Sequence, residues 1–85
     1  MKVRLLYFAR LREVFATSQE TPELPPNIQT VASLLNWLRQ RGGVWAEELA
    51  AGRAYRVAIN QDLATQEAVL HENDEVAVFP LVTGG

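Results

Sequence analysis

The sequence predicts a single α+β domain, and three observations lead to this class. First, 85 residues suffice for one domain, which at this size needs a compact and regular core. Second, short apolar alternations typical of strands lie near both ends of the chain, at Lys2 to Phe8 and at Glu75 to Phe79. Third, the strongest amphipathic pattern follows Thr30 and has helical spacing. Strands on both sides of one dominant helix favour a mixed sheet with that helix packed across one face.

The first part of the chain predicts a strand, a short helix and a second strand. Lys2 to Phe8 alternates as a strand does, and Ala9 to Ala16 follows with apolar side chains at helical spacing. Gln19 to Leu24 is a plausible second strand, but it contains Pro22, which cannot donate a ladder hydrogen bond. This second strand should therefore be short or lie at an edge of the sheet.

The middle of the chain predicts the main helix. It should begin after Thr30, whose hydroxyl can accept a hydrogen bond from a free backbone N–H of the first turn. Its apolar side chains form one stripe, which consists of Val31, Leu34, Leu35 and Leu38. Gly42-Gly43 should end this helix, and Val44 to Ala51 is expected to add a second short helix.

The last part of the chain predicts two or three further strands and a tail. Tyr55 to Ile59 alternates as a strand does, whereas Leu63 to Val69 is ambiguous between a short strand and a loop. Glu75 to Phe79 should be the last strand, and Pro80 should end it. Residues 1–80 then form the domain and residues 81–85 an extended tail. This order of elements suggests a β-grasp fold.

The composition excludes several classes of function. The net charge is −2 and the 8 Lys and Arg residues are scattered, which argues against binding to nucleic acid. The chain has no cysteine, so disulfides, thiolate nucleophiles and cysteine-ligated metals are excluded. The apolar stretch at the N-terminus ends at Phe8 and is too short for a signal peptide or a membrane span. We therefore expect a cytoplasmic protein that binds neither nucleic acid nor membrane.

The domain body offers no convincing catalytic residue. His71 lies in a polar turn without an evident nucleophile or orienting partner, which is typical of a solvent-exposed loop. The pair Glu47-Glu48 and the acidic turn of Glu72, Asp74 and Glu75 are interpreted as solvated faces. No glycine-rich phosphate loop precedes a helix. We expect this chain to bind no metal and no cofactor of its own.

Alternation along the first and last strands predicts an apolar patch on the open face of the sheet. If the odd-numbered residues of the first strand point at the main helix, Leu6 and Phe8 point away from it. The same rule sends Phe79 outward from the last strand, and Leu63 and Leu81 are candidates for the rim. Exposed apolar patches usually mark a partner surface, unless a second layer such as the short helix covers this one.

The Gly84-Gly85 ending is the strongest candidate for chemistry. With glycine near ~7% of residues, this ending should occur by chance in about 0.5% of chains, although a frayed terminus is the ordinary explanation. Glycine lacks Cβ, so two in succession can thread a narrow channel and leave the terminal carbonyl accessible. A free carboxylate is a poor electrophile, but an acyl-adenylate is not. Attack by a sulfur nucleophile would then leave a thiocarboxylate on Gly85, which requires no cysteine.

Three segments give the chain its resemblance to a known family. The opening "KVRLLYFARLRE", the central "VAINQ" and the final "ENDEVAVFPLVTGG" resemble the small, sulfur-carrier subunit of molybdopterin synthase over nearly the whole length. The resemblance implies a ubiquitin-like β-grasp fold. It also implies an adenylyltransferase, similar to ubiquitin-activating enzymes, that uses Mg-ATP to activate Gly85 for conversion to a thiocarboxylate.

The resemblance further implies how the sulfur is delivered. In this family the tail, here Val82, Thr83, Gly84 and Gly85, enters the active site of the large subunit, where cyclic pyranopterin monophosphate receives the sulfur. The assembled synthase is a heterotetramer, and the positions matching its apolar docking surface are Phe8, Leu63 and Phe79. Leu81 is a departure, because the family often has a second proline there.

Other functions remain compatible with the sequence. A sulfur carrier for thiamine thiazole synthesis would share the fold and the Gly-Gly ending but is usually shorter and lacks the Phe-Pro-x-Val-Thr segment. Carriers serving cysteine synthesis or RNA thiolation also remain open, as does a ubiquitin-like protein modifier. A β-grasp adaptor with an inert tail is a further possibility, and only this last reading predicts that deletion of Gly84-Gly85 leaves function intact.

Overall fold

The computed structural model describes residues 1–81. This part of the chain forms five strands and three helices. The strands are β1 (Arg4–Tyr7), β2 (Gln19–Glu20), β3 (Tyr55–Ile59), β4 (Asp62–Ala64) and β5 (Glu75–Pro80). The helices are α1 (Ala9–Phe15), α2 (Val31–Arg39) and α3 (Gly43–Glu48).

All five strands form one mixed sheet in the order β2-β1-β5-β3-β4. The pairing of β1 with β5 is parallel, and the other three pairings are antiparallel. β5 is therefore the central strand, although it comes last in the chain. A mixed sheet with one main helix packed on one face confirms the predicted α+β class and the β-grasp fold.

The core lies between the sheet and α2. The stripe predicted for the main helix is fully buried, and it meets the inward residues of the two central strands, Val76 and Val78 of β5 and Leu5 and Tyr7 of β1. The register sets Leu5 beside Val76 and Tyr7 beside Val78. These pairs alternate with residues that point to the opposite face of the sheet. The buried residues of the helices lie in the core on the inward side, so within residues 1–81 no helix covers that opposite face.

The start of α2 follows from the predicted cap. Thr30 Oγ1 accepts a hydrogen bond from the backbone N–H of Ser33 at 3.2 Å. In return, Ser33 Oγ accepts from the backbone N–H of Thr30 at 2.9 Å. Two otherwise unpaired donors of the first turn are satisfied in this way, which fixes the residue at which the helix begins.

The second strand is shorter than the segment that suggested it. Only Gln19–Glu20 joins the sheet, as an edge strand, which agrees with the expectation drawn from Pro22. Leu24 leaves the sheet and enters the core at 2% exposure, and its backbone N–H donates to the carbonyl of Met1 at 2.7 Å. The core takes up the only large aliphatic side chain of this segment, which draws the chain away from the ladder.

The prediction that Pro80 ends the last strand was wrong by one residue, because Pro80 is the final member of β5 and pairs with Tyr55. The backbone N–H of Leu81 donates to the carbonyl of Ala54, on the β3 side. Successive residues of a strand direct their N–H groups to opposite sides, so the nitrogen of Pro80 faces β1, which has already ended at Tyr7. Proline is tolerated there because no ladder hydrogen bond is lost.

Candidate functional site

One row of apolar side chains crosses the open face of the sheet. Leu6 of β1 lies beside Ala77 of β5, Ala77 lies beside Ala58 of β3, and Ala58 lies beside Leu63 of β4. With strands about 4.8 Å apart, this row spans roughly 14 Å. The middle of the row is made by two alanines, so its surface is shallow there and raised at both ends.

A second row lies next to the first, towards the end of β5. Phe8 continues the alternation of β1 beyond Tyr7, with extended backbone, and its N–H donates to the carbonyl of Val78. Phe79 is its neighbour on β5 and pairs with Arg56 of β3 on the other side. Leu81 follows Phe79 by two residues and by alternation belongs to the same face.

We define the apolar face as the outward side chains of these rows and of Leu81. They are Leu6, Phe8, Ala58, Leu63, Ala77, Phe79 and Leu81. Phe8 is 45%, Leu63 72% and Leu81 40% exposed, and Leu6 and Phe79 are partly exposed. The five large residues predicted from the sequence as partner contacts are thus on one surface. Their role as contacts stays a prediction.

The alternative that the short helix covers this surface was wrong for the described residues. α3 packs against α1 and α2 on the opposite side of the sheet, where the ring of Trp45 stacks on Phe15 at 3.8 Å. Trp45 also contacts the inward ring of Tyr7 edge-on. The apolar face is therefore open in this part of the chain.

The predicted tail contacts Val82, Thr83, Gly84 and Gly85 lie outside the described residues. What the structure does define is the point from which they depart. β5 runs along the centre of the sheet, carries Phe79 on the apolar face, and leads through Pro80 into Leu81. The chain thus reaches the predicted reactive end directly from the strand at the centre of the apolar face.

A polar cluster on the helix side ties the edge strand β2 to the loop after α2. Arg41 donates two hydrogen bonds to the carboxylate of Glu20, at 2.8 and 2.9 Å, and the Tyr7 hydroxyl donates a third at 2.7 Å. The guanidinium also lies over the ring of Trp45, 4.4 Å from its centroid. The bonds from Arg41 hold the pKa of Glu20 below its usual range, and burial raises the pKa of Tyr7 far above its own. Near neutral pH Glu20 therefore stays ionised and Tyr7 stays protonated and neutral, so this cluster serves packing.

Two carboxylates interpreted as solvated are in fact buried. Glu48 is 8% exposed and accepts hydrogen bonds from Arg10 and Arg53, which hold its pKa below the usual range, Arg10 contributing most. Asp74 is also 8% exposed and accepts from the Asn60 side chain and from the backbone N–H of His71. The solvated interpretation was wrong for these two because one partner of each, Arg10 for Glu48 and Asn60 for Asp74, is distant in sequence. Each is satisfied by structural donors, which gives no indication of acid–base chemistry.

Metal binding and membrane insertion find no support in residues 1–81. No three His, Asp or Glu side chains of this part of the chain come close enough together to hold an ion. Within the same residues, no helix has the length and apolar character needed to cross a bilayer.

With the β-grasp fold and the apolar face described, the class of protein follows from comparison with known families. The ThiS family model matches residues 5–85, and the chain belongs to this family. The match includes the Gly-Gly ending as well as the sheet.

Curated relatives narrow the comparison. The molybdopterin synthase sulfur carrier subunit of Haemophilus influenzae is 36% identical over 98% of this chain and 99% of its own length. The protein of the same name from Escherichia coli is 35% identical with the same coverage, and that from Mycobacterium tuberculosis is 33% identical over the whole of this chain. The resemblance predicted from the sequence is confirmed.

Solved structures agree on the fold. A putative molybdopterin converting factor subunit 1 from Pyrococcus furiosus superposes with a TM-score of 0.78, with 25% identity over 96% of this chain and 99% of its own. A complex of subunits 1 and 2 of molybdopterin-converting factor from Helicobacter pylori gives 0.68 at 20% identity, with both chains fully covered. SAMP1 from Haloferax volcanii gives 0.75 at 22% identity, again with full coverage of both chains. At this identity the last two show the shared fold alone.

Proposed function

We propose that this chain is the sulfur carrier of a molybdopterin synthase, with Gly85 as the group that carries sulfur. An adenylyltransferase similar to ubiquitin-activating enzymes joins the Gly85 carboxylate to AMP with Mg-ATP, and pyrophosphate leaves. A hydrosulfide-level nucleophile, supplied by a desulfurase-type donor, attacks the carbonyl carbon and AMP leaves. The resulting thiocarboxylate donates its sulfur to cyclic pyranopterin monophosphate in the large subunit. A dithiolene holds two sulfurs, so each product needs two carrier cycles.

The observation that carries this proposal is the relation between the apolar face and the tail. Leu6, Phe8, Leu63 and Phe79 share one open surface, and the strand at its centre leads into the residues before Gly84-Gly85. Large exposed apolar side chains gathered on one face suit a partner surface. Docking there positions the emerging tail at the partner. The names of the curated relatives support the choice of partner.

The reach of the tail fits delivery into a partner's interior. Five residues after Pro80 extend to about 17 Å, so the domain body can stay outside while Gly85 enters an active site. Leu81, Val82 and Thr83 would line the entry, and the two glycines would pass its narrowest part because they lack Cβ.

Intact-mass spectrometry tests the chemistry. The purified chain is incubated with the adenylyltransferase, Mg-ATP and a sulfide donor, and we expect the mass to rise by the difference between sulfur and oxygen. A variant without Gly84-Gly85 is the matched control and should stay unchanged while it unfolds at the same temperature. An unchanged mass of the full chain, with an adenylyltransferase that is active on another carrier, would refute the proposal.

A binding measurement tests the choice of pathway. The chain is titrated separately with a molybdopterin synthase large subunit and with a thiazole synthase, the partner expected of a thiamine carrier. We expect association with the large subunit alone. Exclusive binding to the thiazole synthase would keep the carrier chemistry and overturn the pathway.

A further inference from the structure

One cation interrupts the apolar face. Arg56 lies on β3 beside Phe79, and its neighbour Val57 points into the core, so alternation directs Arg56 to the open side of the sheet. Arg56 is exposed. Within residues 1–81 its guanidinium forms no hydrogen bond or ion pair. A positive charge thus lies next to the aromatic end of the apolar face.

The other arginine on this side of the sheet differs in having a partner. Arg4 of β1 donates to Glu75 of β5 at 2.7 Å, so its charge is compensated within the chain. Glu75 lies four residues from Phe79 along β5, about 13 Å away at strand spacing, and is thus out of reach of Arg56. Away from this face, Arg41 likewise has a carboxylate partner in Glu20, and Arg10 has one in Glu48.

Covering the apolar face would change the surroundings of Arg56. In the free chain water solvates the guanidinium, but a partner that covers Phe79 and Leu63 would remove much of this water. A buried charge without a partner is strongly unfavourable, whereas a carboxylate can accept two parallel hydrogen bonds from the guanidinium fork. The partner surface must therefore supply an acceptor at this point.

We propose, on the basis of the function proposed above, that Arg56 pairs with a carboxylate of the large subunit and determines which large subunit the carrier binds. The register supports this placement, because Arg56 lies two residues from Ala58, which pairs with Leu63, so the guanidinium is on the same open side of the sheet as Leu63. An acidic side chain entering from the partner would meet the guanidinium beside the exposed Leu63. A large subunit without this carboxylate would bury the charge unpaired and bind weakly.

Titration of Arg56 variants with the large subunit tests this pairing. We expect Arg56→Ala to weaken binding roughly 30-fold or more and Arg56→Glu to weaken it further, because like charges then face each other. Arg56→Lys should retain part of the affinity, since it keeps the charge but loses the fork. The matched control is Arg4→Ala, which removes a compensated charge from the same side of the sheet and should change Kd by less than about threefold.

Two further measurements separate a pairing role from a structural one. Thermal unfolding and thiocarboxylate formation of the three Arg56 variants should equal those of the wild type, because Arg56 has no partner within residues 1–81. The salt dependence of Kd should be smaller for Arg56→Ala than for the wild type, since one ion pair has been removed.

The outcomes distinguish this inference from the proposed function. If the wild type binds the large subunit and Arg56→Ala and Arg56→Glu bind equally well, the guanidinium stays in water in the complex and the inference is wrong. If the wild type neither binds nor forms a thiocarboxylate, the proposed function itself fails. Weaker binding of Arg56→Ala with unchanged thiocarboxylate formation supports both.

Discussion

Replacing Arg41 by alanine should destabilise the fold through one defined contact. Arg41 holds the Glu20 carboxylate with two hydrogen bonds and lies over the ring of Trp45. Glu20 belongs to the edge strand β2, which has only two residues in the ladder. The side chain of Arg41 is 30% exposed and that of Glu20 25% exposed, so solvent weakens their attraction but does not abolish it.

The magnitude follows from these exposures. Ion pairs at the surface contribute about 0 to 1 kcal/mol, and a bidentate pair with a partly buried carboxylate belongs at the upper end. The contact with the indole ring adds about 0.5 to 1 kcal/mol. We therefore expect Arg41→Ala to lower the free energy of unfolding by about 1.5 kcal/mol. For a domain of this size the corresponding fall in Tm is about 6 to 12 °C.

The loss should depend on pH, with a sign set by Glu20. Its pKa in the folded chain is below the ordinary value of 4.5, chiefly because of the bonds from Arg41. A carboxyl group with a lowered pKa stabilises the fold above its unfolded pKa, and this contribution is lost as pH falls through the folded pKa. The difference in the free energy of unfolding between wild type and Arg41→Ala should thus have its full size at pH 7. It should shrink as the pH falls below 4.5, until only the contribution of the contact with the Trp45 ring remains.

Urea unfolding followed by circular dichroism at several pH values measures both effects. Arg12→Ala is the matched control, because Arg12 is exposed on α1 and has no carboxylate partner among residues 1–81. If Arg41→Ala unfolds within about 0.5 kcal/mol of the wild type at pH 7, as ordinary surface substitutions do, the contact does not stabilise the fold and the reasoning is refuted.

Three other substitutions test the turn, the cap and the apolar face. Gln61→Gly should stabilise the fold by about 1 kcal/mol in urea unfolding, because Asn60 and Gln61 have φ values of 50° and 73°, which favour glycine. Thr30→Ala should destabilise it by about 1 kcal/mol in the same assay, since the hydroxyl that caps α2 through Ser33 is lost. Phe79→Ser should weaken binding to the large subunit roughly 30-fold in a titration, because an aromatic contact at the apolar face is removed.

Each of these has its own control. Gln61→Ala keeps the positive φ without glycine and should not stabilise the fold. An equal increase in the free energy of unfolding for Gln61→Gly and Gln61→Ala would mean that the positive φ is not the cause. Thr30→Ser retains the hydroxyl and should unfold like the wild type. Val69→Ser removes an apolar side chain that is 57% exposed outside the apolar face, and it should bind normally. Equal losses from Val69→Ser and Phe79→Ser would mean that exposed apolar area in general, not this face, drives binding.

The parts of the fold that local patterns predicted are those whose cause is local. The strand Tyr55–Ile59 and the start of α2 at Thr30 are as predicted, because alternation and a capping hydroxyl act within a few residues. The structure of Gln19 to Leu24 was only partly predicted. Leu24 is buried in the core, and no pattern within a few residues indicates this. The segment Leu63 to Val69, which was ambiguous from its pattern, contains only the end of the three-residue strand β4.

The candidate site was predictable only where it depends on alternation. Leu6, Phe8 and Phe79 follow from a period of two along β1 and β5. Ala58 and Arg56 were missed, because their place depends on β3 lying beside β5, and strand order cannot be read from one strand's pattern. The pairing of Glu20 with Arg41 was missed likewise, because 21 residues separate them and exposed charges carry no periodic signature.

The position of β5 leads to a final prediction about the tail. Val76 and Val78 fix this strand in the core, and the ladders to β1 and β3 set its register. Since Phe79 is thereby held in place, the chain between it and Gly85 can extend at most about 20 Å, which limits how deep the partner's active site can lie.

Insertion of one glycine between Leu81 and Val82 should therefore separate docking from chemistry. The apolar face is unchanged, so the Kd for the large subunit should stay within about threefold of the wild type. The reacting carbon, however, moves by up to about 3.5 Å, and displacements of even ~1 Å can cost roughly 100-fold in rate. Single-turnover transfer from the thiocarboxylate measures this step, with an insertion after Asn27, in the exposed turn that precedes α2, as control. Unchanged transfer by the tail insertion would show that docking does not set the position of Gly85, because the tail would then find its site independently of the face.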